Sequence, residues 1–225
     1  MQSFLRRAFV FRWHGWRRFL RDFAVIQVGF ILFGLSIVIM VQANLGTSPW
    51  VALETALIRH LPITLGQSVI LVSVFIIAVD ILLGQPLGWG TLANMLSIGF
   101  WVDVHLTWVP LAPDNYFLQI PYLLLSVLIM GFATAVYVGV NAGAGPRDSL
   151  MLVVSRRLRV SVRVARATVE IIVVVVSLFL GGAIGLGTVI FALAIGPAVQ
   201  FAFRLLKVKP LQPTPAPAPS TQAAD

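Results

Sequence analysis

Asn44-Leu45-Gly46-Thr47-Ser48-Pro49-Trp50 and, 97 positions later, Asn141-Ala142-Gly143-Ala144-Gly145-Pro146-Arg147 decide how this chain folds. In each, a long apolar run ends at Asn, a Gly-containing turn follows, and Pro stands where a short new helix would begin. Its missing N–H costs nothing there, because the first amides of a helix have no intrahelical acceptor. Working outward, the 97-residue offset aligns 34–106 with 131–203 without a gap. The identities include Gly34/Gly131, Arg59/Arg156, Gly84/Gly181, Gly88/Gly185, Gly90/Gly187, Thr91/Thr188 and Gly99/Gly196. Glycine and proline mark backbone geometry, so the match reports a duplicated fold and not shared hydrophobicity alone.

The surrounding composition is that of a membrane protein. Of 225 residues, 59% are hydrophobic and 11% are charged, against about 25% charged in soluble domains. Apolar segments at 23–43, 67–83, 91–109, 119–140, 167–180 and 188–203 are read as six transmembrane helices. The segments 49–61 and 146–158 are too short and too polar to span, and are read as half-helices, re-entrant or interfacial. The fold class is therefore all-α, with six spans in two three-helix repeats, at 23–109 and 119–206, each carrying one additional short helix. Three crossings per copy is an odd number, so the second copy enters the membrane from the opposite side and the repeats are inverted.

The positive charges give the same orientation. Six arginines precede the first span, six lie between the fourth and fifth, and Arg204, Lys207 and Lys209 follow the sixth; Arg59 stands apart from all of these. With both termini cytoplasmic, every cation but Arg59 falls on the cytoplasmic side, as the positive-inside rule requires. Topology thus accounts for the formal charge of +8, and nucleic acid is not needed as a partner. Residues 1–22 read as a basic amphipathic segment lying on the inner leaflet, and 207–225 as a disordered Pro/Ala-rich cytoplasmic tail. The first span, although it ends in Val41-Gln42-Ala43, is too long for a typical signal-peptide core and has a repeat partner, so it is read as retained.

Chemistry is sparse. There is no cysteine, the three histidines are far apart, and no Walker loop, HExxH, GxSxG or dinucleotide fingerprint occurs, so no metal, cofactor or enzymatic activity is expected. The substrate-path candidates are the two breaks, Asn44, Gly46, Thr47, Ser48 and Pro49 with Asn141, Gly143, Gly145, Pro146, Arg147 and Asp148. Helix starts with free amides favour anions, although an Asn-Gly turn before Pro is also ordinary punctuation at a membrane surface. Arg147 and Asp148 correspond to Trp50 and Val51, so the two ends of the path differ chemically.

Arg163, Arg166 and Glu170 share one helical face, and Arg166 is the natural partner of a carboxylate entering the apolar stretch. Asp80 and Asp103 are read as solvated near the interfaces, and Glu54 has no evident partner. Gly88-Trp89-Gly90-Thr91 and Gly185-Leu186-Gly187-Thr188 are read as turns whose threonines cap the next span and whose glycines let the second and third spans of each copy pack closely.

At these residues the chain resembles the YczE/YyaS/YitT-like group of bacterial integral membrane proteins, most closely its YczE-like members. Besides the breaks, the resemblance is carried by Leu83-Gly84, Gly88-Trp89-Gly90-Thr91 and the stretch from Gly187-Thr188 to Gly196-Pro197, and it covers about 23–203. Members commonly carry Asp after the Pro-Trp, where this chain has Val51. The resemblance implies a six-span protein of the bacterial inner membrane and names no substrate. The sequence thus points to a small secondary transporter or permease for a small-molecule or anionic substrate. The other reading is a non-transporting accessory or scaffold protein. The lipid bilayer is the one sure partner, and a homodimer is compatible with this size.

Overall fold

The computed structural model describes residues 15–85, 88–143 and 145–208. These residues are all-helical: α1 Trp16–Gln42, α2 Pro49–His60, α3 Leu65–Leu82, α4 Trp89–Leu106, α5 Tyr116–Gly139, α6 Pro146–Leu158, α7 Val162–Phe179 and α8 Leu186–Leu205. Four of them, α1, α3, α5 and α8, are long and apolar enough to cross a membrane. α4 and α7 match α3 in length but carry more polar groups: Asn94, Asp103 and His105 in one, Arg163, Arg166 and Glu170 in the other. The segment expected to lie on the membrane surface up to Asp22 is, from Trp16 onward, continuous with α1. Residues 1–14 and the tail from 209 lie outside the described residues.

Both breaks have the backbone their residues dictate. Just past the end of α1, Asn44 stands in the left-handed region (φ 54°), its N–H donating to the Val41 carbonyl at 3.1 Å. Just past the end of α5, Asn141 stands at φ 56°, its N–H donating to the Val138 carbonyl at 3.0 Å. Asn tolerates this conformation where most side chains do not. Pro49 and Pro146 then open α2 and α6 at their first position.

The core is built on the α1/α5 pair. Ile26, Phe30, Ile37, Val38 and Met40 of α1 and Leu123, Val127 and Ala133 of α5 are essentially inaccessible. Repeat partners perform the same packing on the two flanks. Gly34 admits α4, where a Cβ would lie 2.9 Å from the Trp101 Cβ, and Gly131 admits α8, where it would lie 2.8 Å from the Ala198 carbonyl. Residues 101 and 198 are themselves 97 apart. The other packed pairs follow the same rule: α1 with α4 and α5 with α8, α2 with α7 and α3 with α6, α2 with α3 and α6 with α7.

Two pairs break the pattern, the lesser being α4 with α6, which has no comparable α8/α2 contact. α3 packs closely on α4, whereas their equivalents α7 and α8 make no comparable contact. At the α3/α4 crossing Gly66 meets Gly99, where a Cβ on Gly99 would lie 2.6 Å from the Gly66 carbonyl oxygen. The equivalents are Arg163, which is exposed, and Gly196, which has open space around it. An arginine cannot enter a glycine-sized contact, so this seam stays apart.

Asp103, expected to be solvated, is half-buried and fastens the same crossing. It accepts the Thr64 hydroxyl at 2.6 Å and the Gly66 N–H at 2.8 Å, next to the reciprocal Thr64/Gln67 capping box that starts α3. A carboxylate at a helix N-terminus satisfies orphan amides and the helix dipole together. Asp103→Ala is expected to lower stability by about 1–2 kcal/mol, measured by thermal unfolding of the purified protein.

Candidate functional site

A cavity of about 350 Å³ lies where the starts of the two short helices converge. Ser48, Pro49 and Trp50 line it from α2, and Gly145, Pro146, Arg147 and Asp148 from α6. Its walls come from α1 (Phe33), α3 (Val69, Ser73), α4 (Asn94, Ile98), α5 (Met130, Thr134, Tyr137), α7 (Arg166, Glu170) and α8 (Phe191, Ile195, Gly196). Most of these residues form pairs at the repeat offset, such as Phe33/Met130, Trp50/Arg147, Val69/Arg166, Ser73/Glu170 and Ile98/Ile195. Equivalent positions of both copies therefore build one chamber. Its charged residues, Arg147, Asp148, Arg166 and Glu170, all come from the second copy, facing Trp50, Val69 and Ser73 from the first.

The copies also clasp each other reciprocally. Gly187 donates its N–H to Leu45 at 2.6 Å, and Gly90 donates to Ala142 at 3.1 Å. His60 Nε2 meets the Leu180 carbonyl at 3.0 Å, and Arg157 donates to the Leu83 carbonyl at 3.0 Å. In both cases residue i of one copy touches residue j of the other while their equivalents touch in exchange, the relation a two-fold axis produces. The partners Trp50 and Arg147 meet directly, the guanidinium 5.4 Å from the indole centroid, which places them beside that axis.

These contacts correct the reading of the glycine turns. Gly88 and Gly90 pack on the Ala142–Gly143 break, and Gly185 and Gly187 on the Leu45–Gly46 break, instead of joining the second and third spans of their own copy. The reason is steric: a backbone-to-backbone contact between loops leaves no room for a Cβ on either side. Thr188 does serve its turn, accepting the Gly185 N–H at 3.2 Å.

The charges form an alternating row. Glu54, fully buried on α2, accepts from Arg147. Beside Arg147, Asp148 accepts the Tyr137 hydroxyl at 2.6 Å and faces Arg166, which donates to Glu170 at 3.0 Å. A charge buried as deeply as Glu54 is tolerable only with such a partner. The starts of α2 and α6 add partial positive charge to the same chamber. Trp50 Nε1 and Glu54 Oε2 have no hydrogen-bond partner among the described residues. Arg166 keeps 55% of its side chain accessible, so the charged row reaches the surface of the described residues at α7.

Of the residues singled out from sequence, Ser48, Pro49, Gly145, Pro146, Arg147, Asp148, Arg166 and Glu170 line the chamber. Asn44 and Asn141 are exposed at the turns, and Arg163 is exposed on α7. Gly46, Thr47 and Gly143 belong to the clasps; Thr47 holds the Ala183 carbonyl through its N–H at 2.8 Å and its hydroxyl at 3.1 Å. Glu54 and Tyr137 were missed. The offset itself carried a usable signal, since it pairs Trp50 with Arg147 and so brings the α2 face bearing Glu54 opposite the cation. Asp80, expected to be solvated, is fully buried against α6.

One relative is named as a membrane protein. An uncharacterized protein of Haemophilus influenzae is 35% identical over 184 residues, covering 80% of this chain and 84% of its own. The uncharacterized membrane protein YczE of Bacillus subtilis is 33% identical over 175 residues (76% and 80%), and the uncharacterized protein YyaS of the same organism is 26% identical over 173 (72% and 83%). No solved structure matches. The model of the family of unknown function DUF6198 matches residues 20–204, and the chain belongs to that family.

Proposed function

We propose that this chain is a small secondary transporter of the bacterial inner membrane, with six spans in two inverted repeats and both termini in the cytoplasm. The observation that carries the reading is the chamber itself: one cavity lined by equivalent residues of two copies, beside the two-fold relation between them, with short-helix starts aimed into it. Binding near the centre between inverted repeats, at interrupted helices, is the usual design of secondary transporters. Crossing by α4 and α7 is supported by where their polar groups go. In α4, Ser97 is held by Gln27 at 2.9 Å and His105 by the Ile31 carbonyl at 3.1 Å; in α7, Arg166 and Glu170 face the chamber. Intramembrane polar residues turned inward are the expected arrangement.

Two helix starts and two arginines suit a small solute with an anionic group, which would compete with Asp148 and Glu170 for Arg147 and Arg166. An accessory, non-transporting role is favoured by a different observation, that each charge on the wall already has a partner. The two readings separate at Ser73, which lines the chamber from α3. In this cysteine-free chain, Ser73→Cys is expected to react with a membrane-impermeant thiol reagent in both right-side-out and inverted vesicles, because alternating access exposes the chamber to each side in turn. Reaction from one side only would support the accessory role.

A further inference from the structure

Away from the chamber, α3 and α6 enclose a carboxylate that the packing does not explain. Asp80 is 0% exposed, and neither of its carboxylate oxygens has a hydrogen-bond donor in bonding geometry among the described residues. The Ser149 side chain faces it from α6, with Arg156 the nearby cation, exposed and beyond ion-pair distance. The Ser149 hydroxyl, directed at Asp80, is buried and has no other partner among the described residues. Also buried and unpartnered among them is Oε1 of Gln85, whose N–H closes the end of α3 onto the Asp80 carbonyl at 2.8 Å.

The other copy shows that the fold does not require this. At the repeat-equivalent positions stand Ser177, Ala52 and Gly182. The backbone closure is repeated, Gly182 N–H to the Ser177 carbonyl at 2.7 Å, and the Ser177 hydroxyl is satisfied by the Val173 carbonyl at 2.7 Å. The same joint therefore closes in one copy with a small, satisfied hydroxyl, and in the other with a buried carboxylate and unpartnered oxygens. Uncompensated buried charge is costly enough that such a group is neutralised in place. A carboxylate, a hydroxyl and an amide oxygen in one buried joint are hard ligands of the kind a hard cation takes. A proton on Asp80 would neutralise it as well, and the test below separates that outcome from a bound cation.

The geometry points to a buried monovalent-cation site, of sodium class, held by Asp80 and Ser149 with Gln85 beside them. Ser149 follows Asp148 directly, so a cation drawing α6 onto α3 also fixes the charged wall of the chamber. Occupancy of the site stands independently of transport; a role as the coupling ion rests on the transport reading.

The test is thermal unfolding of the purified full chain as sodium chloride replaces choline chloride at constant ionic strength and pH. Wild type is expected to gain roughly 5 °C at saturating sodium. Asp80→Asn, which preserves size, is expected to lose the gain, and Ser149→Ala to need roughly tenfold more sodium. Asp103→Asn, on α4 against the start of α3 and so at the opposite end of that helix from Asp80, is expected to keep the gain from its own lower baseline. A wild-type midpoint indifferent to sodium, an equal gain in Asp80→Asn, or dependence on pH alone would each overturn the proposal, the last by assigning a proton to Asp80. Because the readout requires no flux, its failure is separable from failure of Ser73→Cys to label from both sides.

Discussion

Arg147→Ala is expected to destabilise the protein by about 3–5 kcal/mol, because it strands Glu54 as an uncompensated charge in a site with no access to water. The loss of the cation stacked on Trp50 adds about 0.5–2 kcal/mol. The reverse truncation, Glu54→Gln, is expected to cost less, since Arg147 keeps 21% of its side chain accessible and borders the chamber. Combining Glu54→Gln with Arg147→Met removes both charges and is expected to recover most of the stability, as replacing a buried ion pair by neutral groups of similar volume often does. Denaturant unfolding of the purified variants measures all three. If Arg147→Ala proved as mild as Glu54→Gln, the pair would not hold the two short helices together in the way described.

Gly46→Ala is expected to be the most damaging change in the clasps, costing about 2–4 kcal/mol. Two effects add. Its φ of +102° is a conformation L side chains rarely adopt, and a Cβ there would lie 2.5 Å from the Gly185 nitrogen, in backbone that cannot rotate away. Gly196→Ala supplies the contrast. That glycine lies inside α8 with open space around it, so the substitution is expected to be neutral or to stabilise by about 0.5–1 kcal/mol through helix propensity. Both residues belong to pairs conserved between the two copies, Gly46/Gly143 and Gly99/Gly196. Only the tertiary contacts distinguish them, and unfolding midpoints of the two variants measure the difference.

That distinction marks where the sequence becomes silent. The short helices were legible to within a residue, Pro49–His60 against an expected 49–61 and Pro146–Leu158 as expected, because Asn, Gly and Pro act on the backbone where they stand. The Arg166/Glu170 pair was legible for the same reason, being one helical turn apart. Glu54 with Arg147 and Asp80 with Ser149 were not, since each joins helices far apart in the chain and burial of a carboxylate leaves no local trace. The glycine turns were recognised as turns but assigned the wrong neighbour. A 97-residue offset shows that two loops are equivalent, whereas the loop each one touches follows from the exchange of contacts between copies.

Transport through the chamber requires the two copies to enter the membrane from opposite sides, and single cysteines at His60 and Arg157 test this most directly. They are equivalent, exposed residues near the ends of α2 and α6, in a chain with no native cysteine. With a membrane-impermeant thiol reagent on intact cells, His60→Cys is expected to label at once and Arg157→Cys only after permeabilisation. Labelling of both from the same side would contradict the inverted arrangement and, with it, the transport reading of the chamber.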